Sequence, residues 1–274
     1  RMTARRALQE LIDEGLAYTR VGKGTFVSHQ PNNLAAAGNG LNQPHHHNLT
    51  TNITLHYQQK LVDELSSFNC VEVEAIITEA VAAYSVELVA MTLFPEVIRQ
   101  LEQQWQQGQI SLLAQNYAIT TLRSHLIAMF NAAATLQFGQ KAVLSCAPED
   151  QHEIGLLLLA LSLRRRGFRV IYLGPHVFTT DFHQLIDTAR PDLICFSAAT
   201  AESGKSLVTL SRQCLANLQI QRTGGGGQLA ARPVFTFGGA AFSQKPSLTS
   251  QVQGLYLGDT VEAAVTKIQR LFSQ

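Results

Sequence analysis

Asp150 and His152 stand in the run Ala147-Pro148-Glu149-Asp150-Gln151-His152-Glu153-Ile154-Gly155, directly after a short apolar stretch and at the start of a long apolar one. A neutral imidazole in such a loop can ligate a transition metal through one ring nitrogen. A carboxylate two residues earlier is placed to accept the other ring proton, which fixes the tautomer and raises the basicity of the ligating nitrogen. A second group of candidates lies at the amino end, where Arg1, Arg5 and Arg6 offer bidentate donors for phosphate or guanine edges. Thr3 there can cap a helix or bond phosphate, and Lys23 lies between Gly22 and Gly24, whose missing side chains let a backbone come close. Taken singly these features are ordinary, since a histidine at a helix start is usually a cap or a surface residue and basic helix ends are common.

The elements that must hold these residues follow from periodicity. Residues 1–29 read as one compact unit: Ala7, Leu8, Leu11 and Ile12 recur at helical spacing over 3–14, Gly15 marks a stop, and 17–21 and 25–27 read as strands around a glycine turn. Residues 30–50, rich in Asn, Gln, Gly and Pro and carrying His45-His46-His47, read as a solvated linker. From 51 to 138 apolar residues recur at three and four, which predicts four helices broken near Asn69, Tyr84 and Gly108. From 139 to 274 short apolar stretches at 142–145, 170–173, 193–196, 234–237 and 254–257 alternate with helical patterns near 152–166, 180–189, 206–218 and 261–272. That alternation predicts a Rossmann-like parallel sheet covered on both faces, with any ligand beyond the carboxyl ends of its strands.

Bulk composition limits the classes. The chain has 274 residues, 46% hydrophobic and 15% charged, with a formal net charge of +1 and a mean hydropathy of +0.04. Several modest domains with true cores are expected, and nucleic-acid binding must rest on local clusters rather than on overall charge. No stretch reaches the roughly 18 to 20 apolar residues of a membrane span, and 156–161, the longest apolar run, is followed by Arg164, Arg165 and Arg166 and reads as a buried helix face. Cys70, Cys146, Cys195 and Cys214 have neither zinc-site spacing nor the density of a disulfide framework, so reduced thiols in a cytoplasm are expected.

Two family resemblances sharpen this. Arg1 to Leu11, with Glu14-Gly15-Leu16 and Gly22 to Val27, resembles the second half of a GntR-type winged helix-turn-helix. The resemblance implies double-stranded DNA as a partner, with Arg1, Thr3, Arg5 and Arg6 on a helix in the major groove and Lys23 and Gly24 on a wing. Because the pattern begins at the recognition helix, two earlier helices of such a domain are missing from this sequence. Asp150, His152 and Gly155 resemble the Asp-x-His-x-x-Gly pattern of cobalamin-binding domains, whose later serine and double glycine fall on Ser197 and on Gly238-Gly239. That likeness implies His152 on the lower face of cobalt, Asp150 and then Ser203 as a relay behind it, and Gly155, Ser197, Gly238 and Gly239 around the displaced nucleotide tail.

The helical region ahead of the sheet is similar to the four-helix cap of corrinoid methyl carriers and of light-sensing repressors of the CarH type. Trp105 occupies the place of a tryptophan that covers the upper ligand in those repressors, whereas Gln115 and Asn116 stand where they carry Glu-His. The upper ligand is thereby left open, and a bilin, alone or beside cobalamin, is an alternative with His125, His176, Cys146 and Cys195 at its border. Gly224 to Gly227 read as a flexible solvent loop. The combined expectation is a light-responsive transcriptional regulator that is not an enzyme and forms homo-oligomers. A corrinoid methyl carrier is the rival, distinguished by residues 1–27.

Overall fold

The computed structural model describes residues 17–20, 24–27, 45–175, 182–220 and 233–272. The chain divides into two compact units, Arg1–His45 and His46–Gln274. In the first, β1 (Ala17–Arg20) and β2 (Gly24–Val27) pair antiparallel with Ala17 opposite Val27 and Arg20 opposite Gly24, the hairpin expected from the strand-glycine-strand pattern. The helix expected over 3–14 and the polyglycine segment at 224–227 lie outside the described residues.

The second unit opens with four helical segments. Helix α1 (His45–Ser66) begins ahead of the linker boundary expected at residue 50, so the three histidines form its first turn. The polar composition of that run is compatible with either state, and the helix is anchored further on, where Tyr57, Leu61 and Leu65 recur every fourth residue in the core. Asn69 caps α2 (Cys70–Ala83) by accepting from the Glu72 N–H, and Ser85 caps the next segment in the same way. That segment runs through α3 (Val86–Leu88), a π-helical stretch at Val89–Leu93 and α4 (Phe94–Gln106). It stops at Gly108, whose φ of 71° permits the 2.9 Å bond from its N–H to the Trp105 carbonyl while Gln109 bonds back to Gln104 at 2.8 Å. Ser111 then caps α5 (Leu112–Ala132). The expected breaks at Asn69, Tyr84 and Gly108 are therefore capping events.

The remainder is β3 (Lys141–Cys146), α6 (Ile154–Arg165), β4 (Arg169–Gly174), α7 (Phe182–Ala189), β5 (Leu193–Ser197), α8 (Ala201–Ile220), β6 (Val234–Gly238), the short α9 (Ala240–Gln244), β7 (Leu255–Gly258) and α10 (Val261–Phe272). The five strands are all parallel, in the order β4-β3-β5-β6-β7. Side chains of β5 alternate: Leu193 and Cys195 join a core with α6 and α10, whereas Ile194 and Phe196 join a second core with α7 and α8. Helix α8 begins several residues before its apolar pattern because Thr200 and Ser203 cap it reciprocally, each side-chain oxygen accepting from the other's N–H at 3.1 Å.

Helix α6 carries a finding that periodicity could not give. Leu156 through Leu163 are all buried, not one face of them, because the sheet lies on one side and the cap on the other. Helix α5 runs parallel to α6, with Arg123 against Glu153 at the amino end of α6 and Phe130 under the Arg164 guanidinium at its carboxyl end. Cap and sheet thus share one apolar core.

Candidate functional site

Strand order places the site. The chain leaves β3 toward β4 on one side of the sheet and leaves β5 toward β6 on the other, so the loops after β3 and β5 diverge and leave a crevice at their carboxyl ends. Cys146 pairs with Ser197 at that edge, and the Ala147 N–H continues the pairing to the Ser197 carbonyl at 2.7 Å. The loop after β3 then turns sharply, with Glu149 at a φ of 66°, and delivers Asp150 inward and His152 outward.

Asp150 is 2% exposed and organises everything around it. Its Oδ1 accepts from the His152 N–H and lies 2.9 Å from His152 Nδ1, while Oδ2 accepts from the Ala199 N–H at 2.6 Å and from the Ser203 hydroxyl at 2.9 Å. Burial by itself would raise the carboxyl's pKa, but the four donors together hold it below the usual range, so it stands ionised and acceptor-only. An ionised Asp150 fixes the proton of His152 on Nδ1 and leaves Nε2 as the nitrogen with a free lone pair. The His152 side chain is 67% exposed, so Nε2 faces solvent rather than being spent on the protein. Ser203, expected as an extension of the relay, is 1% exposed and in direct contact with Asp150.

An open cleft, about 400 Å³ with its solvent-facing mouth included, lies between α6 and α10 and above the ends of β5, β6 and β7. Gly155, Ser197, Gly238 and Gly239 all line it, so the structure brings these four sequence candidates to one place. Their glycines differ in cause. A Cβ on Gly155 would meet nothing within 4 Å, so a side chain there would project into open space. Gly238 would collide with the Gly258 carbonyl at 2.5 Å, and Gly239, at a φ of 112°, with the Ala198 carbonyl at 2.3 Å. Backbone packing by itself therefore demands glycine at 238 and 239, whatever the cleft holds.

The upper candidates lie on the cap. Trp105 is 39% exposed at the end of α4, Asn116 is exposed and Gln115 half-buried in the first turns of α5. Asn116 precedes Arg123 by two turns on the same helix face, about 10 Å further toward the amino end of α5 than the residue that meets Glu153. Gln115 is rotated by about 100° from it. His125 faces the opposite side of α5, with Nε2 3.1 Å from Glu74 of α2, and does not border the crevice. Cys146 and Cys195 are buried, their thiols pushed up to about 12 and about 11 chiefly by desolvation, and Cys195 forms part of the cleft wall. His176 lies outside the described residues, as do Arg1, Thr3, Arg5, Arg6 and Lys23, while Gly24 opens β2.

Sequence reasoning missed Glu153, Arg123 and Tyr172. Glu153 is 6% exposed, pairs with Arg123 of the cap and accepts from the Tyr172 hydroxyl at 2.6 Å. An acid at the first turn of an otherwise apolar helix was the available signal.

Among the described residues no cluster of three or more His, Cys, Asp or Glu side chains could hold a bare metal ion. A metal met by His152 must bring most of its own ligands, as the cobalt of a corrin does. One exposed imidazole nitrogen, a buried carboxylate behind it and a cleft opened by Gly155 fit such a group with its tail.

Comparison with known proteins agrees. Residues 140–265 match the B12 binding domain family. The chain is 27% identical over 215 residues to the HTH-type transcriptional repressor CarH of Myxococcus xanthus, covering 76% of this chain and 69% of that protein. It is 26% identical over 106 residues to the HTH-type transcriptional repressor CarA of the same organism, covering 39% of this chain and 37% of that one. The monomethylamine corrinoid protein of Methanosarcina barkeri shares the fold, with a TM-score of 0.61 at 18% identity over 79% of this chain and 99% of its own.

Proposed function

We propose that this chain, a CarH-like protein with a B12-binding domain at residues 140–265, is a cobalamin-binding regulator of transcription. The observation that carries the reading is the Asp150–His152–Ser203 constellation at the switch point of the sheet, with one imidazole nitrogen turned outward beside a cleft that Gly155 keeps open. His152 would hold cobalt at the lower face, Asp150 would keep the proton on Nδ1, and Ser203 and the Ala199 N–H would keep Asp150 ionised and fixed. Gly155, Ser197, Gly238 and Gly239 would bound the nucleotide tail, and Trp105, Gln115 and Asn116 would roof the upper ligand. When bound, cobalamin supplies a cobalt to upper-ligand bond whose state, by light or by exchange, serves as the signal.

The finer reading joins this sensor to DNA. The repressors of similar sequence carry a helix-turn-helix in their names, and the GntR-type pattern at residues 1–27 supports a winged-helix head acting on double-stranded DNA through Arg1, Thr3, Arg5, Arg6, Lys23 and Gly24. Cap packing would alter contacts between copies of the chain and so the spacing of paired heads. The replacement of Glu-His by Gln115 and Asn116 puts neutral amides over the upper face, which supports an upper ligand or upper-ligand chemistry different from that of those repressors. Against a bilin, His125 is engaged with Glu74 and both candidate thiols are buried.

The test is an absorption spectrum of the protein with adenosyl-, methyl- and hydroxocobalamin, with a bilin as control, before and after illumination. Each illuminated sample is then followed by size-exclusion chromatography and a gel shift on operator-length DNA. Tight uptake of a cobalamin, with a light-dependent change in elution or DNA retention, is expected. No spectral shift with any cobalamin would end the reading, and uptake without any effect on DNA would favour a carrier.

A further inference from the structure

Glu153 follows His152 directly and opens α6, and its two carboxylate oxygens are held from two different layers of the molecule. Oε1 pairs with Arg123 of the cap helix α5, and Oε2 accepts from the hydroxyl of Tyr172 at the carboxyl end of β4, at 2.6 Å. The β4 backbone closes in behind, since a Cβ at Gly174 would stand 3.3 Å from Oε2. Its main-chain carbonyl accepts the first helical bond of α6, from the Leu157 N–H at 2.8 Å. The side chain is 8% exposed, whereas Arg123 is 41% exposed. Withdrawal of Arg123 would thus leave the guanidinium well hydrated and the carboxylate buried with one donor, an asymmetry that makes the contact costly to break from the Glu153 side.

The ion pairs between Glu87 of α3 and the sheet domain are of a different kind. Arg165 and Arg166 reach Glu87 at the far end of α6, with every partner about one third exposed, where solvent screens the attraction. Among the ion pairs of the described residues that join cap to sheet domain, the one at the amino end of α6 is built around a buried acid, and it is adjacent to the candidate cobalt ligand. The same face of α5 carries Asn116 two turns earlier. A shift of α5 at the roof must therefore be felt at Arg123, and a shift at Arg123 must be felt at the peptide joining Glu153 to His152.

We propose that Glu153 is a positioning residue, clamped by Arg123 and Tyr172, through which the place of the cap helix sets the place of the His152 loop. This rests on the cobalamin reading for its consequence, since the thing positioned is the lower ligand. The clamp links the upper and lower sides of the site without touching either ligand.

The experiment compares Arg123→Met, Tyr172→Phe and the isosteric Glu153→Gln with wild type by two readouts. The first is hydrogen exchange of the ligand-free protein. Arg123→Met should speed exchange in peptides spanning 147–157 about tenfold, with peptides across β6 unchanged, and Glu153→Gln should show a smaller effect. The second is affinity for hydroxocobalamin with and without His152→Ala. Arg123→Met should weaken binding about tenfold when His152 is present and by less than about twofold when it is absent. Unchanged exchange at 147–157, or an equal loss of affinity in both backgrounds, would overturn the clamp. Wild-type protein that takes up no cobalamin would sink the function reading and the ligand-positioning role together, and the exchange data would then decide by themselves whether cap and loop are linked. Circular dichroism identifies any variant that does not fold, and Glu153→Gln, which keeps the size of the side chain but loses its charge and one of its two acceptor oxygens, carries the test if Arg123→Met is lost.

Discussion

The floor and the roof of the site are built in opposite ways. Beneath the crevice Asp150 is nearly inaccessible, all its donors are in place, and His152 is oriented before any ligand arrives. Above it Trp105 and Asn116 stand exposed on helix ends, attached to the floor through apolar packing and a clamp at Arg123. A preorganised floor costs little on binding and fixes which atom meets the metal. In the reading proposed above, an open roof would leave the upper ligand to be selected by a few substitutable side chains, which is where this chain departs from the Glu-His pattern of the repressors it resembles.

The largest effect that would break this contrast concerns Asp150. Asp150→Ala removes the acceptor of four hydrogen bonds and strands the Ala199 N–H in the interior, while the Ser203 hydroxyl keeps only the Thr200 carbonyl as acceptor, at 2.9 Å, and should cost about 3 kcal/mol in urea unfolding. Because the carboxyl is held below its ordinary range, its stabilising contribution is complete above the unfolded pKa near about 3.9 and is lost as pH falls through the folded value. The stability gap between wild type and Asp150→Asn should accordingly shrink between pH 7 and pH 3. An equal gap at both would mean that the floor is not held by an ionised group.

A smaller effect separates two kinds of glycine in the cleft. Gly239→Ala, at positive φ and against the Ala198 carbonyl, should destabilise the ligand-free protein by about 2 kcal/mol or more. Gly155→Leu should change that stability by no more than about 1 kcal/mol, since its Cβ meets nothing, yet block cobalamin uptake. Melting curves and titrations on the pair check both halves. Uptake by the Gly155 variant at wild-type affinity would remove the cleft from the account.

The roof should show the smaller stability change. Trp105→Ala, being 39% exposed already, should lower stability by about 1 kcal/mol or less while altering discrimination among adenosyl-, methyl- and hydroxocobalamin. Smallest of all, native protein at pH 8 should react with a thiol reagent at the exposed Cys70 only. Cys146, Cys195 and Cys214 are buried with thiols raised to about 12, 11 and 12, and fast labelling at any of them would show the core or cleft wall to be open.

What the residue pattern discloses follows from how local the cause is. Helix breaks at Asn69 and Gly108 were legible because a cap and a Schellman turn are written in a few adjacent residues. The pairing of Asp150 with His152 was legible because both atoms sit in one loop. Glu153 was not, because its partners stand 30 and 19 residues away on other elements. The start of α1 at His45 and the all-round burial of α6 were hidden for the same reason: each depends on what packs against the helix, and neither changes the helix's own periodicity.

The proposed function stands on the imidazole of His152 as the protein's ligand to cobalt. Protein carrying ¹⁵N-labelled histidine, loaded with cobalamin and reduced to the paramagnetic cobalt(II) form, gives the most direct test by electron paramagnetic resonance. The superhyperfine pattern should pass from the triplets of a ¹⁴N ligand to the doublets of ¹⁵N, and His152→Ala should abolish the doublets. Triplets that persist in the labelled protein would place the ligand's own base, not residue 152, on the metal.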